Sequence, residues 1–370
     1  GLLQRFGLDP IPWAGNTTDR VAANMGNSIF VAAYLIMVVP LTMGRLIRAV
    51  RNLREDESRR WLYSIKIISY VFIATLQLIT IYLSQSRGPV IGLLAGGYLM
   101  ALLLALFTKK FWVRVTVIGV AIIGGGLLVS FNLESGPFEN LRTLPGIGRF
   151  GMLLDPESTT ALTRKYIWQG AVDLVSAHPP VQFPDGDTDA YNILRPLIGY
   201  GPESMYVAYN QFYPPELGRV EKRNASPDRS HNETWDAMVT TGFLGLVAYL
   251  LLFSAAFYYA ITWLGLVERK RNSYLMVSLM CIGGVCGAVG FSQWRGIEYA
   301  GIGLPFGIMI ALLLYISIIG ILSRESRKLN TCRNSTLVLI MLVSALLAHF
   351  IEINFGIAIV ATRMLFWIYA

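Results

Sequence analysis

The chain is poor in charge. Only 15% of its 370 residues are Asp, Glu, Lys or Arg, while 54% are hydrophobic, against roughly 25% charged in soluble globular domains. With a mean hydropathy of +0.52, it has too little polar surface to wrap a water-soluble core. Cysteine is scarce as well. Cys281, Cys286 and Cys332 are an odd count set in or beside apolar stretches, which excludes a disulfide framework. The first residues lack the basic n-region and cleavage site of a signal peptide, and the start at Gly1 rather than Met reads as a piece of a longer chain.

Long apolar runs are what the sequence has instead. They recur at Ser28–Leu46, Ile65–Leu83, Val90–Phe107, Val115–Phe131, Ala237–Leu264, Leu275–Phe291 and Leu304–Leu322, each close to the roughly 20 residues a helix needs to cross a bilayer. From Ser335 to Ala370 the chain stays apolar for too long to be one helix, and His349, Glu352 and Asn354 interrupt it. One more span followed by a returning or re-entrant segment is expected there. The fold class is therefore an all-α polytopic membrane protein of about eight or nine transmembrane helices. Its segments are an N-terminal outer stretch with four helices (1–133), one large loop (134–234) and the C-terminal helices (235–370).

The net charge of +8 raises nucleic acid as a partner only until its placement is examined. Basic residues cluster as seven in Arg45–Lys66, three in Lys109–Arg114, three in Arg269–Arg271 and four in Arg324–Arg333. These are alternate loops, as the positive-inside rule requires of the cytoplasmic side. The large loop holds nine basic and thirteen acidic residues. It then faces outward with Gly1–Asn27, the turn Ser84–Gly88 and Ser292–Gly303, and no nucleic-acid reading survives. The span centres carry almost no ionisable groups, which argues against an ion-coupled carrier. Gly92/Gly96, Gly283/Gly287 and Gly303/Gly307 have the small-xxx-small spacing that lets helices approach closely.

Unusual polar chemistry collects on the outward side. A loop of about one hundred residues exceeds any connecting need. Its middle predicts an amphipathic helix, capped by Thr159 or Thr160, striped by Leu162, Tyr166, Ala171 and Leu174, and closed by His178-Pro179-Pro180. Such a helix can lie on the outer leaflet with Tyr166 and Trp168 at headgroup depth. It carries Arg164. A second cation, Arg87, sits in the very short turn Ser84-Gln85-Ser86-Arg87-Gly88-Pro89, where topology does not call for positive charge. His231 precedes the span beginning near Ala237, and Asn232 can cap that helix. A helix N-terminus favours neutral imidazole, the form able to accept a proton. Two Arg and a neutral His suit the holding of a lipid-linked diphosphate while a hydroxyl attacks the sugar it carries.

The segments Gly1-Leu2-Leu3-Gln4-Arg5-Phe6-Gly7-Leu8-Asp9, Gly26-Asn27, Ser86-Arg87-Gly88, Arg164-Lys165-Tyr166-Ile167-Trp168, Gly199-Tyr200-Gly201-Pro202-Glu203 and His231-Asn232 ahead of Thr241-Gly242-Phe243-Leu244-Gly245 together resemble the bacterial O-antigen ligase and polymerase superfamily, in the family's order. The resemblance implies a GT-C-like fold with further spans upstream. It also implies inverting, metal-independent glycosyltransfer, with no cofactor, from an undecaprenyl-diphosphate-linked glycan to an acceptor hydroxyl. The acceptor would be lipid A core, a second glycan or a protein, at the outer face of the inner membrane. Arg87 and Arg164 would hold the diphosphate and His231 would take the acceptor's proton. Arg195, Tyr200, Glu203, Asn232 and Arg295 could line the same cavity.

Other readings remain open at this stage. A transporter of lipid-linked glycan would move the substrate without forming a bond, and a scaffold would only present the loop. Asp185-Gly186-Asp187-Thr188-Asp189 resembles a metal-holding DxD element but follows three prolines with no strand framework, so a solvated turn is expected. His178 reads as a helix C-terminal cap. His349 and Glu352, three apart, either line a lipid path or pack.

Overall fold

The computed structural model of the chain describes residues 1–13, 15–108, 110–133, 136–142, 148–183, 185–221, 225–267, 269–322 and 334–370. Its long helices are α1 (Ser28–Glu55), α2 (Arg60–Ser84), α3 (Arg87–Leu106), α4 (Phe111–Asn132), α5 (Thr159–Val175), α6 (Glu233–Trp263), α7 (Lys270–Arg295), α8 (Ala300–Leu322), α9 (Asn334–Glu352) and α10 (Val360–Tyr369). Among the described residues there is no strand, only an isolated bridge between Gln182 and Thr188. Among the described residues eight helices, α1 to α4 and α6 to α9, are long and apolar enough to cross a membrane. The protein is a polytopic all-helical membrane protein. The apolar stretch after Ser335 resolves into α9, a 3-10 turn at Ile353–Phe355 and α10. With ten residues, α10 reaches about 15 Å at the helical rise, half of a bilayer core. The basic segment Arg324–Arg333, with Cys332, and Lys109 lie outside the described residues.

The chain divides into two compact units. The first comprises Gly1–Arg114, Ala256–Met276 and Leu313–Ala370, and α9 is its core. In its span 78% of the apolar window is buried, against 6% in α4, so α9 is enclosed by protein while α4 presents its apolar surface outward. Helix α9 packs into a stripe of glycines on α3. A Cβ on Gly92 would stand 2.4 Å from the Ala348 carbonyl oxygen, and one on Gly96 would stand 2.5 Å from that of Ser344. Only hydrogen fits there, so the backbones meet directly and gain dispersion contacts that larger side chains would prevent. Phe257 and Phe350 meet edge to face at 5.8 Å in the same core. Buried Arg114 donates to the carbonyls of Leu106, Thr108 and Gly320, tying three helix ends together. His349 and Glu352 are both buried, 3.6 Å apart, which answers their open reading in favour of packing: Glu352 lies against Gly92 and Gly356.

The N-terminal segment of this unit folds over the α2–α3 turn. The buried Gln4 amide accepts from the backbone N–H groups of Ala22 and Ala23 and donates to the Ala23 carbonyl. Gln85 donates to the Asp19 carbonyl, and Arg20 donates to that of Ser84.

The second unit comprises Val115–Ala255 and Val277–Leu312. Here two glycine pairs face each other across α7 and α8: a Cβ on Gly287 would sit 2.1 Å from the Gly303 carbonyl oxygen, and one on Gly307 would sit 1.9 Å from that of Gly283. The spacing noted in the sequence is thus used for close packing in both units.

These contacts make a sharp contrast measurable. Gly92→Leu should lower the thermal unfolding midpoint of detergent-solubilised protein, with a cost of at least about 1–3 kcal/mol from overpacking. Gly97→Ala, at a site with nothing within 4 Å, should leave the midpoint unchanged within error. Equal midpoints for both would contradict the α3–α9 contact.

Candidate active site

His231 is held in a conformation few residues adopt. Its φ is +56°, and the other non-glycine residues with positive φ among those described are Ala23, Gln85 and Glu203. Left-handed backbone costs a non-glycine residue on the order of 1–3 kcal/mol and persists only where its surroundings over-determine it. The neighbours of His231 do so. Ser230, fully buried, donates both its backbone N–H and its hydroxyl to Asp236 Oδ1 at 2.7 Å, and its hydroxyl lies 2.9 Å from the Asn232 carbonyl. On the other side Asn232, also fully buried, caps α6 by accepting from Trp235 N–H at 3.1 Å. The cap expected from the sequence is present, and with the Ser230–Asp236 lock it holds the His231 backbone in place.

Helix α5 is bolted to the same segment. Trp168 Nε1 donates to the Ser230 carbonyl at 2.9 Å across 62 residues of sequence, and its ring meets Tyr299 edge to face at 5.7 Å. Gln169 donates to Glu298 Oε1 at 2.9 Å, and Trp235 Nε1 donates to the Glu298 carbonyl at 2.8 Å. This corrects the expectation of a helix lying on the leaflet with Trp168 at headgroup depth. Trp168 is 3% exposed, because a buried indole N–H needs an acceptor and finds one in protein. The buried face of α5 is Ile167, Trp168, Ala171, Val172 and Leu174, not the stripe through Leu162 and Tyr166. The helix starts after Ser158, one residue ahead of the expected caps.

Trp168 is one helical turn from Arg164, so the bond that fixes Trp168 also brings Arg164 towards His231. The charge is felt. The His231 imidazole is pulled down from its ordinary value of 6.5 to about 4, chiefly by burial and then by the Arg164 guanidinium. Neutral imidazole was expected from the helix terminus; burial and Arg164 provide it.

The remaining residues of the loop resolve into a second construction. Helix α6 is broken at Gly242, whose φ of +65° and ψ of −168° are not helical. The break leaves the Val239 and Thr240 carbonyls to accept from Tyr200 N–H at 2.8 Å and Gly201 N–H at 2.9 Å. Gly199, at φ +73°, and Gly242 approach so closely that a Cβ on either would come within 2.4 Å of opposing backbone. Two of the sequence segments, around Gly199 and around Gly242, are therefore the two halves of one joint. Tyr200 packs in this joint with its hydroxyl 2.9 Å from His178 Nε2, and burial pushes its phenol up to about 12. It is a proton-bearing group at neutral pH. The same His178 nitrogen lies 3.0 Å from the Leu174 carbonyl, the helix-end cap expected. Arg195 forms a bidentate pair with buried Asp189 at 2.7 and 2.8 Å and lies over the Tyr200 ring at 5.0 Å. That pairing holds the Asp189 carboxyl below its ordinary value. Glu203 pairs with Arg229, and Arg295 is exposed, stacked on Trp294 at 4.6 Å. Asp187 N–H bonds to Asp185 Oδ1 in a turn through Gly186 at φ +94°. Among the described residues no cluster of three His, Cys, Asp or Glu is placed to hold a metal.

The structure thus brings Arg164, His231 and Asn232 together in the second unit, with Arg195, Tyr200 and Glu203 in the loop that docks on α6. Arg87 belongs to the first unit. It opens α3 after a two-residue turn in which Gln85 takes φ +54°, between fully buried Ser84 and buried Ser86. The sequence reading named Trp168 but sent it to the headgroups, and it did not single out Ser230, Asp236 or Glu298; the signal that could have led to them was that Trp four residues beyond Arg164.

Residues 70–180 match the family model described as O-antigen ligase. That supports the O-antigen ligase superfamily. The matched stretch, a little under a third of the chain, includes Arg87 and Arg164, while His231 follows it. No curated protein and no solved structure matches the chain.

Titration tests the electrostatics directly. NMR of the full chain in nanodiscs should show His231 titrating near pH 4. Arg164→Gln should move that midpoint upward, since the lost positive charge no longer opposes protonation. A midpoint at the ordinary histidine value in the parent protein would contradict the buried site.

Proposed function

We propose that the protein transfers a glycan from an undecaprenyl-diphosphate carrier to an acceptor hydroxyl at the outer face of the bacterial inner membrane, with inversion and without a metal. One observation carries the reading: a neutral, conformationally restrained His231 beside the Arg164 cation. The acceptor oxygen attacks the anomeric carbon of the sugar as the bond from that carbon to the diphosphate breaks on the opposite face. The acceptor's proton passes to the imidazole, and the departing diphosphate takes the bonding pair.

His231 suits the base role because it is unprotonated throughout the neutral range and its backbone is held by its neighbours. Arg164 suits the leaving group because a guanidinium binds phosphate oxygens through two parallel N–H bonds and keeps its charge when desolvated. Charge grows on the diphosphate as the bond breaks, so a fixed cation stabilises the transition state more than the ground state. Arg87, in the first unit, keeps a proposed phosphate-binding role on its motif and its rigid turn alone. Asn232 acts by positioning His231. Arg195, Tyr200 and Glu203 hold the loop, judged by the partners each already has.

The assay is transfer by the purified full chain from undecaprenyl-diphosphate glycan to a panel of lipid A core, a second lipid-linked glycan and a hydroxyl-bearing peptide, read by product mass. One acceptor should yield product, and a chelator should leave the rate unchanged. His231→Ala should lower turnover by about 10²–10⁴, and Arg87→Ala and Arg164→Ala by about 10²–10³ each. The rate should hold between pH 6 and 8 and fall only as His231 becomes protonated in acid. Transfer by His231→Ala at the parental rate would sink the proposal, as would lipid-linked glycan movement with no product.

A further inference from the structure

A cavity of about 620 Å³ in the second unit takes no part in the chemistry above. Its floor is the α5 face bearing Gln169 and Asp173, one wall is the segment Phe212–Glu216, and the other is Ile297–Glu298. Two aromatic rings, Phe212 and Tyr213, stand beside three carboxylates, Asp173, Glu216 and Glu298, and a carboxamide, Gln169. Among the described residues no Lys or Arg lines it.

The walls are stiff. A Cβ on Gly170 would stand 2.5 Å from the Phe212 carbonyl oxygen and 2.7 Å from the Tyr209 hydroxyl, so the wall segment sits directly on α5. Tyr209 is fully buried with its hydroxyl on the Tyr166 carbonyl, and Phe212 lies edge to face on His178 at 4.6 Å. The third wall is held by the Gln169–Glu298–Trp235 hydrogen bonds. Those bonds tie the cavity to the N-terminus of α6, where His231 is set.

An aromatic wall with several oxygen acceptors and a carboxamide fits the alternating apolar and hydroxyl faces of a pyranose ring. Carboxylates accept sugar hydroxyls strongly. The absence of cations makes the cavity repel anions, because a cleft lined by one sign of charge concentrates the opposite sign. Phosphate and carboxylate ligands are therefore unsuited to it.

We infer that this cavity is a saccharide subsite for a neutral or amine-bearing sugar of the glycan, and that it excludes uronic and other acidic sugars. The inference rests on the glycan-transfer reading and adds to it the charge class of the substrate. The sugar can belong to the donor's chain or to a saccharide acceptor.

The test is saturation-transfer NMR on the full chain in nanodiscs with three probes: a neutral glucose tetrasaccharide, a glucosamine tetramer and a galacturonate tetramer. The first two should bind, each at least about tenfold more tightly than the acidic probe. Tyr213→Ala should weaken both by about tenfold, while Tyr213→Phe keeps them within about threefold. Asp173→Asn with Glu216→Gln should close the gap to galacturonate. Displacement of the bound probe by undecaprenyl-diphosphate glycan assigns the subsite to the donor, and displacement by acceptor glycan assigns it to the acceptor. Displacement by neither overturns the inference, as do absence of binding by all three probes, equal binding of all three, or tightest binding of galacturonate. Because binding is read without turnover, His231→Ala should bind the neutral probe like the parent. A subsite that binds in a protein unable to transfer glycan would separate failure of the transfer reading from failure of this one.

Discussion

The hydrogen bond from Trp168 Nε1 to the Ser230 carbonyl is the contact on which the second unit's arrangement turns. With the Gln169–Glu298–Trp235 bonds it fastens the loop helix α5 to the entrance of a membrane-spanning one. Without it, the indole N–H would be buried without an acceptor at a cost of about 1–3 kcal/mol. The bond also has a consequence for His231 itself. Ser230 is held by α5 on its carbonyl and by Asp236 on its N–H and hydroxyl, so the peptide entering His231 cannot rotate to relieve the left-handed φ. Strain at a residue with an ionisable side chain, retained by three hydrogen bonds next to it, is the pattern expected where direction of the side chain matters more than local stability.

A second constraint is the close approach of backbones. In the first unit, glycines on α3 admit α9, and the buried His349–Glu352 pair sits in the resulting seam. In the second, two glycine pairs meet across α7 and α8, and Gly199 meets Gly242 where α6 breaks. A helix surrounded by lipid gains little from burying leucine, since lipid tails are just as apolar, so close contact and hydrogen bonding have to supply the specificity. The break at Gly242 goes further. It costs α6 internal hydrogen bonds, and the N–H groups of Tyr200 and Gly201 replace them. A broken helix is tolerated at a membrane edge when other backbone satisfies the released carbonyls.

These joints divide the loop's polar residues by task. Arg195, Glu203 and Tyr200 are cations, anions and phenols of the kind that attract functional assignment, yet each has a partner within the loop. Asp189 in particular turns a run of acidic residues from a potential cation site into one half of a bidentate ion pair. Two of the loop's carboxylates, Asp173 and Glu216, join Glu298 in lining the cavity at α5. One helix thus carries Arg164 beside His231 and lends Gln169 and Asp173 to the cavity.

Much of the architecture was legible from the amino acids because hydropathy is a local property. Seven runs and the start of an eighth span could be bounded without knowing what they touched, and the glycine spacings announced close packing without naming the partner. Arg87, Arg164, His231 and Asn232 could be picked out because a cation in a tight turn, or a His before a helix, is unusual in its own neighbourhood. Direction was not legible. Whether Trp168 faced lipid or protein depended on an acceptor 62 residues away. Whether Gly242 continued or broke a helix depended on the glycine at 199, and whether Arg195 was paired depended on the fold of the turn before it. The sequence by itself determined where the apolar runs lie and the supply of chemically able groups. Only the tertiary structure decided which way those groups point, because that choice is made by hydrogen bonds and backbone contacts between residues far apart in the chain.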